Sequence, residues 1–441
     1  MKKIYLSVIG FSFICRFHAY SQAKQDTGRN KTPYVATAPI VFNNDGYMVR
    51  GLRLDEVNLF SSYYKQNGDH SAVTGGIGTE KVTDIANGLD LKLVWLGDNQ
   101  NKNTISIGIG IDHHTSASSA FVTTTGLGKQ GGTRIYPSLD WTVENAKTGN
   151  TFGVASYYSG EYNYKSLGAD VHFTVKTDDK MGEFGVKLQG YFDHVTLIYP
   201  SEFIPVLSAP PPTGAVYITT ASGNLVLSTP GSSGGQTSKP SLPTSPRNTY
   251  TAAFSYSQIL DSRLQIMFLG DLVAQNGYLG LPFHRVYFSN GKDTIEKLPS
   301  SRFKLPLGFR ANYFLGDNII LRSYYRYYMD SWGSNSNTAN LEIAYKITPF
   351  FSISPFYRYY TQTAARYFAP YEEHSPTDQY YTSNYEYSKF NSQFFGVGFR
   401  IAPPDGVFGS KYLHELEIRY GHYTTTENLV SDVVSLSLGF K

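Results

Sequence analysis

Residues 105 to 112 read Ile-Ser-Ile-Gly-Ile-Gly-Ile-Asp, four isoleucines separated by single small or polar residues. On a strand this spacing puts every isoleucine on one face, whereas a helix would scatter them around its circumference. The segment must therefore be extended, with one apolar and one polar side. The same grammar recurs. Leu89, Leu91, Leu93 and Trp95 alternate with Asp90, Lys92 and Val94, and Leu139, Trp141 and Val143 with Asp140, Thr142 and Glu144. Val171, Phe173 and Val175 alternate with Asp170, His172 and Thr174, and Phe184, Val186 and Leu188 with Gly185, Lys187 and Gln189. Runs at Leu305 to Tyr313, Leu341 to Ile347 and Phe395 to Ile401 continue it.

Alternation alone also fits a soluble sandwich, so the connections decide. Short polar joints fall at Gly97 to Asn103, Asn145 to Asn150, Lys176 to Gly182, Asp261-Ser262, Gly316-Asp317, Thr348-Pro349 and Ala402 to Ser410. Between them lie mostly long connections: Lys65 to Lys81, His113 to Arg134, Ser159 to Glu161, Asp193 to Arg247, Gln275 to Lys304, Asp330 to Asn337, Thr361 to Glu386 and Thr424 to Glu427. Short turns taking turns with long loops is the pattern of an all-β transmembrane antiparallel barrel, with turns in the periplasm and loops outside. Fifteen connections predict about 16 strands with both ends periplasmic. The joint after Ser159 is short where a loop is expected.

The N-terminus supports export. Lys2-Lys3, an apolar run from Ile4 to Cys15 and Ala19-Tyr20-Ser21 follow the order of a secretory signal, too short to span a bilayer. Ile14, where a lipoprotein signal needs a small residue, argues for simple cleavage near Ser21. Residues 1–21 are thus expected to be removed, 22–51 to form a periplasmic tail or small plug, and 52–441 the barrel. The only cysteine, Cys15, would leave with the signal, so disulfides and thiolate metal sites are excluded from the mature chain. No later apolar run reaches about 18 residues, which excludes a helical bundle. A net charge of +3 without a basic run gives no case for nucleic acid.

Aromatic residues make up 15% of the chain, 36 of them Tyr, although mean hydropathy is only −0.28. Doublets at Tyr63-Tyr64, Tyr157-Tyr158, Tyr324-Tyr325, Tyr327-Tyr328, Tyr359-Tyr360 and Tyr380-Tyr381 sit where alternating runs approach a loop, as expected of an interfacial girdle. Val434, Leu436, Leu438 and Phe440 put a strand at the C-terminus, resembling the signal by which outer-membrane barrels reach their insertion machinery; Lys441 departs from the commonest form. Residues 193–247, with Pro210-Pro211-Pro212 and Gly231-Ser232-Ser233-Gly234-Gly235, are expected to be a long flexible extracellular loop.

Five strings, Asp55 to Leu59, Ser61 to Tyr64, Ser71 to Glu80, Pro282 to Phe288 and Tyr381 to Tyr385, resemble an uncharacterised family of Gram-negative bacteria, notably Bacteroidetes, known as domain of unknown function 3570. The resemblance implies an outer-membrane barrel. It brings neither substrate nor catalytic residues.

If the apolar faces meet lipid, the polar faces line the lumen. The expected lining charges are Asp90, Lys92, Asp112, Asp140, Glu144, Asp170 and Lys187 in the first half and Arg310, Arg322, Arg326, Glu342, Lys346, Arg358, Arg400, Glu417 and Arg419 in the second. Acid dominates the first set and base the second. Two readings stand: a transverse field acting on passing solutes, or charges pairing in a filled interior. Small polar solutes are the candidate cargo, and a non-conducting barrel that presents loops to a partner is the alternative.

No catalytic, cofactor or metal residue emerges. Gly75-Gly76-Ile77-Gly78-Thr79-Glu80 lacks the Lys-Ser/Thr and the helix of a phosphate loop, and reads as a permissive extracellular loop. His113 and His114 point to opposite faces of a strand and cannot easily share an ion. His172 and Ser156 both could face the lumen, but no spacing singles them out as a hydrolase pair. Pro282-Phe283-His284-Arg285-Val286-Tyr287-Phe288 either folds into the lumen as a constriction, binds a partner, or extends the wall above the membrane, the last being the simpler expectation.

Overall fold

The computed structural model describes residues 51–97, 99–204, 216–219, 225–228 and 242–441. The expected signal peptide, and the expected tail or plug apart from Gly51, lie outside the described residues. Chain order gives β1 (Arg53–Asn67), β2 (Val82–Leu96), β3 (Lys102–Ser116), β4 (Gly131–Glu144), β5 (Thr151–Glu161), β6 (Tyr164–Lys176) and β7 (Gly182–Thr196). A short hairpin, β8 (Val216–Thr219) and β9 (Leu225–Ser228), precedes β10 (Thr244–Ile259) and β11 (Leu264–Gly277). A second hairpin, β12 (Arg285–Tyr287) and β13 (Asp293–Ile295), precedes β14 (Ser301–Leu315), β15 (Ile319–Asp330), β16 (Asn335–Thr348), β17 (Phe351–Gln362), β18 (Phe390–Ile401), β19 (Leu413–Thr425) and β20 (Val430–Phe440).

Apart from the two hairpins, these strands form one closed barrel of 16, each antiparallel to the next. The seam joins β20 to β1, from Val57 opposite Phe440 to Asn67 opposite Val430. The expected count holds; the taking of turns between short and long joints holds over most of the ring, but β15–β16 and β19–β20 are joined by only four residues each on the long-loop side, and β18–β19 by 11 on the other. Several turns are set by local side-chain chemistry. The Asn145 carboxamide oxygen accepts from the Lys147 and Thr148 amides at 2.9 and 3.0 Å, and Asp261 accepts from Arg263 and Leu264 at 2.6 and 2.9 Å. Gly316 turns at φ 65°.

Two expected boundaries move. β3 runs on to Ser116 and β4 starts at Gly131, so four residues at each end of the loop expected from His113 to Arg134 are ladder. The loop expected over 193–247 begins and ends in strand and holds the β8–β9 hairpin. The short joint after Ser159 is a two-residue turn, Tyr162-Asn163, on the long-loop side.

The apolar face of the wall points outward. Ile107, Ile109, Leu139, Val171, Leu188, Leu272, Leu307 and Leu341 are exposed, an aliphatic band around the middle. Tyr63, Tyr158, Phe192, Tyr250, Phe303, Tyr325 and Tyr359 ring the band at the long-loop end, and Phe152, Phe184, Tyr256, Tyr313 and Tyr345 at the short-turn end. On β14 the two girdles are marked by Phe303 and Tyr313. Ten residues of rise are ~34 Å along a strand, or ~26 Å along the axis at a tilt of ~40°. That matches the roughly 25 Å apolar band of a membrane barrel, so the chain is a transmembrane β-barrel.

The tyrosine doublets obey the same alternation, which halves the girdle reading. Tyr63, Tyr158, Tyr325 and Tyr359 are exposed, while their neighbours Tyr64, Tyr157, Tyr324 and Tyr360 fall on the opposite, inward face. Tyr380-Tyr381 lies in the loop between β17 and β18.

Candidate functional site

Inside the wall, alternation places all sixteen expected charges opposite the exposed apolar residues, facing the lumen. The two sets stand across from one another. Asp90, Lys92, Asp112, Asp140, Glu144, Asp170 and Lys187 lie on β2 to β7, the second to seventh places in the ring. Arg310 to Arg419 lie on β14 to β19, the tenth to fifteenth places, so each strand of the first set has its diametric opposite in the second.

Pairing runs along each wall. Asp170 accepts from Tyr157 at 2.6 Å and is bridged by His172 Nδ1 at 2.8 Å and Lys187 Nζ at 2.9 Å. Asp112 is held by Arg134 at 2.9 Å, and Glu144 by Lys176 at 3.6 Å. On the other wall Glu342 takes Arg322 at 2.6 Å and Arg419 at 2.7 Å, and Arg419 also reaches Glu417 at 3.1 Å. Arg400 forms a fork with Glu415 at 2.9 and 2.8 Å. Each of these pairs stays within its own wall. Sequence reasoning missed Arg134 by assigning it to a loop, and Glu415, which stands beyond the β-bulge at the start of β19.

At the long-loop end the connections pack into a lid. Arg285 Nη1 donates to Val73 O at 2.6 Å and to Phe121 O at 2.7 Å, while its Nε pairs with Glu202. Val73 belongs to the β1–β2 loop and Arg285 to the β11–β14 loop. These hairpins occupy the first two and the ninth and tenth places of a ring of 16, so the bond joins opposite sides of the mouth. A barrel of this size is ~32 Å across between strand axes, and residues 278–300 are long enough to cross it. The Pro282 to Phe288 segment therefore folds inward, and its reading as a wall extension is corrected. Val286 is fully buried.

The loop between β17 and β18 completes the lid. Glu296 accepts from the Leu281 amide at 2.9 Å and from the Thr382 hydroxyl, and His374 Nε2 lies 3.0 Å from Thr382 O. Tyr385 stacks on His70, ring centroids 3.7 Å apart. Gln362 donates to Glu386 O and Ser388 O at 2.9 and 2.6 Å. Trp332 donates from its indole to Ser301 O at 2.9 Å and meets Tyr367 and Tyr387 edge-on. Gly75 and Gly76, at φ 78° and 91°, are required here: a Cβ would come within 2.5 Å of the Tyr287 ring or 2.7 Å of Ser383 O. The glycine string is thus a close-packing device, more constrained than the permissive loop expected.

The lid encloses titratable groups. Burial, then the neighbouring Glu386, pushes Glu80 from 4.5 up to about 7, and burial raises Glu386 as well. Burial drives His284 below its ordinary value. Glu296, raised by burial, is nonetheless held low by His284, Thr382 and the Leu281 amide.

Other candidates separate. Ser156 is exposed on the outer face with Phe152, Val154 and Tyr158, opposite His172, so the two residues weighed as a hydrolase pair stand on different faces of the wall. His113 bonds Thr133 at 2.9 Å, while His114, on the other face, meets Glu161 at 3.3 Å. Among the described residues no three His, Cys, Asp or Glu converge as for a metal ion.

The arrangement defines a class: a transmembrane barrel of 16 strands with opposed charged walls beneath a packed loop lid. The chain belongs to the family described as protein of unknown function (DUF3570), whose profile matches residues 129–428, about two thirds of its length. The strings at 55–80 lie outside that match. No curated protein matches in sequence. Similar solved structures include a bacterial polysaccharide outer membrane secretin (8% identity, TM-score 0.40, covering 87% of this chain and 98% of that one). A BenF-like porin from Pseudomonas fluorescens Pf-5 shares 6% identity at TM-score 0.38, over 88% and 98% of the two chains. Pseudomonas aeruginosa OccK1 (OpdK) shares 6% at TM-score 0.36, over 87% and 97%. At these identities and scores nothing of their cargo carries over.

Proposed function

We propose that the protein resides in the outer membrane of a Gram-negative bacterium and passes small polar solutes through its lumen, with the lid narrowing the long-loop mouth. The supporting observation is the lining: opposed walls whose ion pairs each close on their own side, leaving polar groups to face the centre. Such a lining orients charged or dipolar solutes and solvates them in transit. The β20 strand, ending on Phe440, is proposed as the segment that the insertion machinery engages. Planar-bilayer recording tests the reading. Discrete openings are expected from refolded protein, and their absence from protein that shows a heat-modifiable gel shift would overturn it.

One observation favours a second reading. The lid joins opposite sides of the mouth through buried contacts, as a non-conducting barrel that presents its loops to a partner would require. Under that reading, silent recordings would persist after the residues between β11 and β14 are shortened to a tight turn. Openings appearing only after shortening would identify the lid as a closed gate.

A further inference from the structure

The wall from β14 to β19 carries a feature that a solvating lumen does not need. In one inward row Arg310 pairs in register with Tyr324, Tyr324 with Asn340, Asn340 with Arg358, Arg358 with Phe394 and Phe394 with Tyr423. In the next row, nearer the long loops, Arg326 stands opposite Thr338, and Thr338 opposite Tyr360. Three guanidinium groups and four rings therefore share one patch across six neighbouring strands. Arg310 lies over the Tyr324 ring at 5.7 Å and Arg358 over Phe394 at 5.7 Å. Phe356 extends the aromatic surface, 5.1 Å from Phe394, with Arg419 4.9 Å above it. Arg326 and Arg419 are close enough to Arg358 for their charges to act on it.

The other arginines of this wall are tied to carboxylates: Arg322 and Arg419 to Glu342, Arg400 to Glu415. Among the described residues Arg310 and Arg326 make no ion pair. The buried Nε of Arg326 has no hydrogen-bond partner among them, and Asp271, whose charge Arg326 influences, forms no ion pair with it. Arg310 and Arg326, which no carboxylate among the described residues meets in an ion pair, raise the local potential, and an anion relieves it. Guanidinium forks match a carboxylate bidentately, and ring faces favour a flat apolar body over bare water.

We propose that this patch, centred on Arg310 and Arg326, binds an organic anion with a carboxylate head and a flat apolar body. The inference rests on the reading of the lumen as a solute path and names the solute class. In it the carboxylate meets the free edges of Arg310 and Arg326, and the body lies among Tyr324, Phe394 and Tyr360.

Calorimetry on the refolded, detergent-solubilised barrel tests it with three probes: benzoate, acetate and benzylamine. Benzoate is expected to bind at least about tenfold more tightly than acetate, given the rings, and benzylamine not at all. Arg326→Gln and Arg310→Gln should each weaken benzoate by about tenfold or more, the loss of a hydrogen bond to a charged group. Arg326→Lys, which keeps the charge but not the fork, should fall between. If a glutamine variant fails to show the heat-modifiable shift, the wild-type comparison and Arg326→Lys carry the test. Benzoate binding no better than acetate or benzylamine, or unchanged in the folded variants, overturns the proposal. Bilayer recordings keep the two readings apart: benzoate binding without conduction sinks solute passage and spares the site, whereas conduction without benzoate binding sinks the site alone.

Discussion

Arg285 is the group whose loss the lid should tolerate least. It is buried, and one nitrogen, Nη1, holds Val73 O and Phe121 O while Nε pairs with Glu202, so one side chain joins four loops. In Arg285→Ala the buried Val73 carbonyl and the part-buried Phe121 carbonyl lose a charge-assisted donor, and a carboxylate loses its partner. Hydrogen bonds to charged groups contribute ~1.5–3 kcal/mol each, and breaking a buried pair costs ~3–5 kcal/mol. Glu202 is partly exposed and can rehydrate, so about 3–4 kcal/mol is expected for the lid as a whole. At ~1.4 kcal/mol per factor of ten, the open population should rise by two to three orders of magnitude. Native-state hydrogen exchange reads this directly, as faster exchange at the amides of Thr74, Gly75 and Gly76, whose bonds lie within the same loop. The barrel amides of β3 should not change. Protection of the 68–81 loop equal to wild type in a folded Arg285→Ala barrel would refute the assignment of Arg285 as the tie across the mouth.

Other perturbations follow from the same structure. Because Glu80 has its folded value raised from 4.5 to about 7, the lid binds that proton more tightly than the open loop does. Its stabilisation is full below about 4.5 and is lost as pH rises through about 7, so proteolysis of the long loops should quicken over that window, and Glu80→Gln should flatten the dependence. Ile109→Arg on the outer aliphatic band should cost ~2–4 kcal/mol in urea unfolding from vesicles; no cost would place that face in water. Glu342→Gln removes the negative charge shared by Arg322 and Arg419 and turns one of the two oxygens they meet into a donor nitrogen. With Arg322 half in solvent, a loss of ~2–3 kcal/mol is expected, together with a shift of reversal potential toward anion selectivity; an unshifted potential would count against the opposed-wall account of the lumen.

How much of this was legible in the chain depends on the range of the interaction. The strands at Ile105 to Asp112 or Phe395 to Ile401 declare themselves because a period of two is local, and the bilayer imposes the same sidedness on each of them. Turns such as Asn145 to Asn150 are legible for the same reason, their hydrogen bonds being made within a few residues. The inward side of Asp170 or Arg419 follows from parity alone, whereas which charge pairs with which, Lys187 with Asp170 or Arg419 with Glu342, depends on contacts between strands that no period announces. The outward side of Ser156 is harder to read because its strand carries small residues at Gly153, Ala155 and Gly160, and parity has to be carried from Phe152 and Val154. The lid was out of reach. Its contacts, Arg285 to Val73 or Glu296 to Thr382, join segments tens to hundreds of residues apart with no period to announce them. The string Pro282 to Phe288 showed density of aromatic and basic residues without direction.

The seam between β1 and β20 sets a rule for how the molecule comes into being. Eleven register pairs join segments separated by nearly the whole described chain, yet the entropy of bringing them together grows only as the logarithm of length, about 5 kcal/mol for a loop this long. Until Val430 to Phe440 arrives, the growing sheet has two raw edges, each a template for pairing with the wrong neighbour. The last strand is therefore worth far more than one sixteenth of the wall: without it no intermediate is sealed, and a chain clipped before residue 430 would leave an open ribbon for quality-control proteases.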